Sequence, residues 1–448
     1  MTAILDMPLR EIARRLAEGS VTAADLREAT YARIAARDGT LRSVVHLPDA
    51  DRMTVPQDGP FAGIPFGVKD IIDVAQMPTR CGSFAHPAQE RSDAQAVALL
   101  RQAGLVPLAK LATYEYALTG PAWDQPNPPA RNPWNPEHIT GGSSSGSAAA
   151  VAGGLFRFAL GTDTGGSIRS PAAYCGIVGL KPTAAAVPDG GCFPLSQSLD
   201  VIGPLAACVE DAAIVMDLLS PASAATADIG RGIAGLSVGY ARSWFASDPK
   251  CDPAVVVAMD DAAATLSRLG AKIVLIDLPE YQPLEDAGTV ILQAEAWANH
   301  LGGLRDRYDR YGVDARRNLV TGAILTEADV LAARQIGRDF RQQIDGILGR
   351  MSAILTPTTL GPAPAFAEFT DGPVWTAMRT LPFNLSGHPA LSVPCGFAAN
   401  GLPLGMQLIG RYGDERMLCR IAHTFEQATD FSARPAIGAE PVSLEDQA

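Results

Sequence analysis

The sequence predicts an α/β fold with a mixed β-sheet. Two observations carry this prediction: helices alternate with short apolar strands, and the order helix, glycine, strand occurs at 93–109 and again at 255–276. A third concerns organisation, because no repeat of 20–50 residues and no clean linker divides the 448 residues. We therefore expect a single domain over residues 1–448, with its core motifs at 62–183 and a completing segment at 353–410.

The N-terminal part, residues 8–36, predicts two amphipathic helices. Apolar residues recur with a period of about 3.6 from Leu9 to Leu16, and Gly19 marks the end of the first helix. Thr22 followed by Asp25 predicts a capping box at the start of the second helix.

The rest of the chain supplies the strands of the sheet. A helix at Asp93–Ala103 leads into a strand at Leu105–Ala109, and a helix at Val255–Leu269 leads into a strand at Lys272–Ile276. Asn400–Gly401 predicts a hairpin turn. Four more apolar runs are predicted as strands: Leu236–Tyr240, Ala353–Leu355, Ala390–Val393 and Leu404–Ile409.

Composition limits the classes of function. Hydrophobic residues make up 47% of the chain and charged residues 19%, which is typical of a globular enzyme. The net charge of −12 argues against nucleic acid or an anionic membrane as a partner. Residues 1–15 lack the apolar core of a secretory signal, so we expect a cytoplasmic protein. Seven cysteines without a CxxC pair indicate neither a disulfide framework nor a zinc site, and no metal is expected.

Two segments rich in serine and glycine, 141–147 and 161–169, stand out in the middle of the chain. The first precedes a helix-forming run at 148–152, and the second follows a strand-like run at 156–160. Glycine turns let several backbone N–H groups converge on one point, and a following helix adds its positive dipole end. Both segments are therefore suited to stabilising a negative oxygen.

Other motifs fit these segments less well. A phosphate-binding Walker loop would need lysine where Ser147 stands, and the dinucleotide pattern GxGxxG does not occur in either segment. Gly142-x-Ser144-x-Gly146 matches a nucleophile elbow, which requires a strand immediately before it. Residues 135–140 make a poor strand. Ser144 nevertheless remains the competing nucleophile.

Lys69 is the ionisable residue of most interest, because the chain has only five lysines and this one ends the apolar run Ile64–Val68. Burial there would lower the pKa of its amine. The alternative is an ion pair between Lys69 and Asp70 or Asp73. A second lysine, in Ser247-x-x-Lys250, imitates a hydrolase motif by chance, since the residues between form a surface turn.

Three longer stretches carry a resemblance to a known family. They are AGIPFGVKD (62–70), NPWNPEHITGGSSSGSAAAVAGG (132–154) and ALGTDTGGSIRSPAAYCGIVGLKPT (159–183). Supporting matches occur at 198–206, 354–358, 383–397 and 401–410, so the resemblance covers most of the chain. On these motifs the sequence resembles the amidase signature family, including the 24-residue interval between its two serines.

The resemblance implies a Ser–cis-Ser–Lys triad that forms an acyl-enzyme. Ser167 would be the nucleophile, Ser143 the bridging serine held by a cis peptide, and Lys69 the general base. The oxyanion hole would comprise the backbone N–H groups of Thr164, Gly165, Gly166 and Ser167. The resemblance also implies a single large α/β domain with a mixed β-sheet wrapped by helices, and no cofactor.

The implied reaction is hydrolysis of a C–N acyl bond in a small molecule, an amide, an anilide or a carbamate (urethanase activity), extending to esters. The alternative is a glutamine-hydrolysing amidotransferase subunit that works with a partner protein. Homodimers are common among such enzymes. Aromatic residues before the first serine segment favour a bulky, uncharged substrate. Residues expected at the substrate are Tyr114, Tyr116, Trp123, Ser144 and Arg169, with Trp375 and Met378 as further wall residues. The alternatives are that the aromatic residues belong to the core and that Arg169 has a structural role.

Overall fold

The structure of the chain is a computed structural model that describes residues 2–49, 59–87, 89–369, 372, 375–431 and 435. The predicted alternation of helices and strands is confirmed. The helices are α1 (Leu9–Ala17), α2 (Ala23–Leu41), α3 (Gln95–Gln102), α4 (Ser145–Ala152), α5 (Arg169–Cys175), α6 (Val209–Leu219), α7 (Ser243–Ala246), α8 (Pro253–Arg268), α9 (Tyr281–Arg307), α10 (Val313–Val320), α11 (Glu327–Leu348), α12 (Leu381–Leu385) and α13 (Glu415–Gln427).

The strands that were predicted from the sequence lie close to their expected positions, whereas five further strands and eight further helices of the described residues were not predicted. They are β1 (Val44–His46), β2 (Pro65–Lys69), β3 (Pro78–Thr79), β4 (Gln89–Glu90), β5 (Val106–Leu111), β6 (Phe158–Asp163), β7 (Val178–Lys181), β8 (Val201–Ala206), β9 (Ser237–Tyr240), β10 (Lys272–Leu275), β11 (Ala353–Pro357), β12 (Ala390–Phe397) and β13 (Pro403–Ile409). The run predicted as a strand at 156–160 begins two residues later and continues to Asp163.

Eleven of the described strands form one mixed sheet in the order β1-β5-β2-β6-β8-β7-β12-β13-β11-β9-β10. Strands β5, β2 and β6 run parallel at one side, and β12 and β13 form the predicted antiparallel hairpin. Gly401 occupies its turn with φ +76°, a backbone region that favours glycine. The fold is thus a single mixed α/β domain, as expected.

The N-terminal helices confirm the predicted capping. The Asp25 backbone N–H donates to Thr22 Oγ1 over 3.1 Å, and the Thr22 N–H donates to the Asp25 carboxylate over 2.8 Å. Helix α1 is tied to the sheet region through Asp211, whose carboxylate accepts the Leu9 N–H and forms a buried ion pair with Arg157. No helix in the described part of the chain combines the length and the apolar character needed to cross a membrane.

The centre of the sheet positions the site. All five residues of β2 are buried, and Phe66 stacks on Phe158 of β6 with ring centroids 5.1 Å apart. Because β2 and β6 are parallel, their carboxyl ends meet at one edge of the sheet. Lys69 ends β2 and Asp163 ends β6, so the two motif-bearing segments converge there.

Candidate active site

Lys69 is fully buried at the end of β2, and its side-chain nitrogen contacts hydroxyl groups. Its Nζ donates to Ser143 Oγ and to Thr162 Oγ1, each over 2.7 Å. Burial lowers the pKa of Lys69 to about 7, although the charges of Cys192, Asp200 and Asp163 act in the opposite direction. The amine can therefore be neutral near neutral pH, as a proton acceptor must be.

The alternative of an ion pair between Lys69 and a neighbouring aspartate is wrong. Asp70 turns instead toward β5, where its carboxylate lies 3.1 Å from Lys110 Nζ. Asp73 lies within 4.0 Å of Arg91 at the surface.

Ser143 follows a cis peptide bond between Gly142 and Ser143, as the resemblance implied. Its backbone is held by Tyr114, whose N–H donates to the Ser143 carbonyl over 3.2 Å. The ring of Tyr114 lies against Gly142: a Cβ atom at this position would come within 2.2 Å of Tyr114 Cε2. Glycine is required at position 142 for that packing.

Ser167 lies in the glycine turn between β6 and α5. It is half-buried, and its hydroxyl makes no hydrogen bond to any described residue. The turn is shaped by Asp163, whose carboxylate accepts the Gly166 N–H over 2.8 Å and the Ile168 N–H over 3.1 Å. Gly166 has φ +135°, and a Cβ there would come within 2.4 Å of Thr380 Oγ1.

This geometry corrects the expected oxyanion hole. Gly166 cannot contribute its N–H, because that donor is already bonded to Asp163. Within the described part of the chain, the N–H groups of Thr164, Gly165 and Ser167 make no hydrogen bond. Three of the four expected donors therefore stay free.

Two residues of the site were missed from the sequence. Thr162 accepts a hydrogen bond from Lys69, and Asp200 accepts one from the Thr164 hydroxyl as well as from the backbone of Leu195 and Ser196. Burial raises the pKa of Asp200 to about 6. For Thr162, the available signal was the alternation of side chains along β6. The sequence alone does not show that Lys69 lies next to Thr162.

A cavity of about 150 Å³ opens beside these groups. Its described wall carries no charged side chain. Ser143, Ser167 and Thr164–Gly166 form one side, and Ile139, Leu292 and Phe369 supply apolar surface. Of the expected wall residues, Tyr114, Trp375 and Met378 do line this cavity.

Two aromatic residues expected at the substrate are placed elsewhere. Tyr116 is buried in a cluster with His86, Phe193, His300 and Tyr311, stacking on the last of these with centroids 5.3 Å apart. Trp123 is 55% exposed and contacts Phe366 edge-on outside the cavity. The presence of aromatic residues before the first serine and glycine segment does not reveal which of their rings face the cavity.

Ser144 and Arg169 are also wrongly assigned to substrate binding. Ser144 Oγ donates to the Thr162 carbonyl and accepts the Thr162 N–H, so it braces α4 against β6. Arg169 is fully buried and forms an ion pair with Asp163, leaving its guanidinium occupied by the fold. The signal for this pairing was an aspartate six residues upstream in the same turn.

No group of three or more His, Cys, Asp or Glu side chains in the described ranges is arranged to hold a metal ion.

Comparison with known proteins gives the family. The amidase family model matches residues 46–419. A glutamyl-tRNA(Gln) amidotransferase subunit from Roseiflexus castenholzii is 35% identical over 483 aligned positions, covering 97% of this chain and 98% of that protein. A crystal structure of an amidase, 31% identical, superposes with a TM-score of 0.84 and covers 94% of this chain and 99% of its own.

The native peptide amidase of Stenotrophomonas maltophilia superposes with a TM-score of 0.82 at 28% identity, covering 97% of this chain and 99% of its own. The chain belongs to the amidase signature family of hydrolases.

Proposed function

We propose that this chain is an amidase that cleaves uncharged amides, anilides or carbamates through an acyl-enzyme on Ser167. The observation that carries the proposal is the 2.7 Å contact between Lys69 Nζ and Ser143 Oγ, at a cavity that Ser167 also lines. A serine hydroxyl is a weak nucleophile and needs a base within relay distance.

In the first half of the reaction, Ser167 Oγ attacks the carbonyl carbon of the substrate. Its proton passes to Ser143, and the proton of Ser143 passes to the neutral amine of Lys69. Thr162 accepts one N–H of that amine, which helps to orient its lone pair toward Ser143. The oxygen of the tetrahedral intermediate takes the negative charge, and the free N–H groups of Thr164, Gly165 and Ser167 stabilise it, at about 3 kcal/mol for a well-placed donor.

In the second half, the C–N bond breaks as the proton returns from Lys69 through Ser143 to the leaving nitrogen. This produces the free amine and an ester of Ser167. Water then attacks the ester carbonyl and gives one proton to the same relay. As the bond between the acyl carbon and Ser167 Oγ breaks, the relay returns that proton to Ser167 Oγ and the acid is released. Protonating the leaving nitrogen is the demanding step of amide cleavage, so a relay that ends on Ser143 is well suited to it.

The cavity supports uncharged substrates. Its described wall has no cation to pair with a carboxylate, and Arg169 is already paired with Asp163. Burying an unpaired charge costs several kcal/mol, whereas burying an aromatic ring contributes about 2–3 kcal/mol.

The second candidate is a glutamine-hydrolysing amidotransferase component. It is favoured by the relative from Roseiflexus, whose name describes an amidotransferase, over almost the whole length of both chains. Such a component would work with partner proteins, and a glutamine site would need charged groups for the ammonium and carboxylate of that substrate.

The purified chain alone separates the two candidates. We expect kcat/KM for 4-nitroacetanilide or an aryl carbamate to exceed that for glutamine by at least tenfold. If glutamine is preferred tenfold or more, or is hydrolysed only after a partner is added, the amidotransferase assignment replaces ours.

A further inference from the structure

Two hydroxyl groups in the cavity wall lack any hydrogen-bond partner. Tyr114 Oη and Thr119 Oγ1 are both inaccessible to solvent, and neither bonds to any described residue or to the other. Both residues line the cavity beside Ser143 and Ser167. Buried hydroxyls in folded proteins nearly always have a partner, because leaving one unpaired costs about 1–3 kcal/mol.

The chemistry of the two groups is different from that of a charged subsite. Burial raises the pKa of the Tyr114 phenol well above its ordinary value, so this group keeps its proton and acts as a hydrogen-bond donor. The Thr119 hydroxyl can donate or accept. With no cation in the described wall, the complementary group is a neutral one that offers both an acceptor and a donor, as an amide or a carbamate does.

We infer that Tyr114 and Thr119 form a subsite for a second neutral carbonyl group of the substrate, with the Tyr114 hydroxyl donating to its oxygen and Thr119 Oγ1 accepting from its N–H. This inference rests on the proposed function and deepens it. The preferred substrate carries one scissile acyl bond and, at a distance, another amide-like group.

The subsite lies on the leaving-group side of the reaction centre. The Tyr114 ring packs against Gly142, directly before Ser143, and Ser143 is the residue that returns the proton to the leaving nitrogen. The amine released from a preferred substrate therefore retains the second carbonyl group.

Three free amines of matched shape test this without requiring catalysis: 3-isopropylaniline, 3-aminoacetophenone and 3-aminobenzamide. They differ only in the substituent at position 3. The isopropyl group makes no hydrogen bond, the acetyl group offers an acceptor, and the carboxamide offers an acceptor and a donor. Calorimetry on the full chain should show binding about 3- to 10-fold tighter at each step, the range expected for one neutral hydrogen bond.

The variants assign each step to one residue. Tyr114→Phe keeps the ring that packs on Gly142 and should abolish the preference for acetophenone over isopropylaniline. Thr119→Val should abolish the preference for benzamide over acetophenone. Tyr412→Phe is the matched control, because its hydroxyl already bonds to the Ala184 carbonyl outside the cavity, and it should leave both preferences unchanged.

Thermal unfolding separates binding from a structural role. Removing a hydroxyl that has no partner should leave the melting temperature of Tyr114→Phe unchanged or higher, whereas loss of a structural hydrogen bond would lower it. Equal binding of the three amines to the wild type, or equal ratios in Tyr114→Phe, overturns the subsite. Covalent labelling of Ser167 by a fluorophosphonate is unaffected by that result, so failure of the subsite is distinguishable from failure of the proposed function.

Discussion

Two fully buried lysines lie on neighbouring strands of the sheet and have different partners. Lys69 ends β2 and contacts the hydroxyls of Ser143 and Thr162. Lys110 lies on β5, paired in register with Val68, and contacts the Asp70 carboxylate over 3.1 Å and Thr79 Oγ1 over 2.8 Å. Both lysines lie in the same sheet, so the difference between their electrostatic surroundings comes from the groups that contact each amine.

The comparison shows how one sheet gives two buried lysines different electrostatic surroundings. A carboxylate in contact compensates the charge of a buried ammonium, which makes Lys110 and Asp70 a buried ion pair. Hydroxyl groups compensate it far less, and the pKa of Lys69 falls to about 7. Of these two lysines, the one without a carboxylate partner is the one that we propose takes up a proton.

The largest effect is expected from Lys69→Met, which keeps the volume of the side chain and removes the amine. Acylation by an aryl amide should slow by at least 1,000-fold, equivalent to about 4 kcal/mol, because nothing else in the relay can accept the Ser143 proton. Stopped-flow or burst kinetics measure this rate. Retention of more than about a tenth of it would rule out the base.

The same variant should be more stable than the wild type. With its folded pKa near 7 and an unfolded value near 10.4, Lys69 lowers stability at every pH below the unfolded value, most strongly at pH 7 and below. Replacing it should raise the free energy of unfolding at pH 7 by on the order of 3 kcal/mol, measured by urea denaturation. A loss of stability in this variant would mean that burying the amine is not costly.

Lys110→Met should give the opposite result. It leaves the Asp70 carboxylate buried without its partner, and breaking a buried pair costs about 3–5 kcal/mol. Urea denaturation at pH 7 should show this loss, while the fraction that remains folded keeps a measurable acylation rate. A stability equal to that of the wild type would mean that the two lysines do not differ in the way described.

The pH dependence of kcat/KM tests the lowered pKa of Lys69 in the wild-type protein, without a substitution. Only the neutral amine of Lys69 accepts a proton, so activity should rise about ninefold or more between pH 6 and pH 8, with a midpoint near 7, and then level off. A midpoint near 10, the ordinary value for lysine, would show that burial does not lower the pKa.

The sequence predicted those parts of the scaffold that local signals decide. The capping box at Thr22 and the hairpin at Gly401 depend on residues a few positions apart, and both are confirmed. The placement of Lys69 beside Ser143 followed from the family resemblance alone, and the structure brings these two residues together.

What escaped prediction depends on packing between distant segments. Tyr114 and Tyr116 are two residues apart, yet one lines the cavity and the other joins a buried aromatic cluster, because the backbone at Tyr116 adopts φ +49° and reverses the alternation. Likewise, nothing local reveals that Asn384 and Gln407, from the far end of the chain, also accept hydrogen bonds from Arg169.

The smallest expected effect distinguishes two tryptophans that are equally exposed. Trp375 lines the cavity, and Trp123 packs outside it against Phe366. Trp375→Ala should lower kcat/KM for an aryl amide about 3- to 10-fold through lost apolar contact, and Trp123→Ala should change it by less than about twofold. Steady-state kinetics with one substrate measures kcat/KM for both variants. Equal losses of kcat/KM would contradict the assignment of Trp375, and not Trp123, to the cavity wall.

The most direct test of the central claim is covalent labelling by a fluorophosphonate followed by peptide mapping in a mass spectrometer. The wild type at pH 8 should carry one adduct, on Ser167, and Lys69→Met should label at least 1,000-fold more slowly at the same residue. Ser144→Ala should label like the wild type, because Ser144 is bonded to the backbone of Thr162. An adduct on Ser144, or labelling of Ser167 that does not depend on Lys69, would contradict the account.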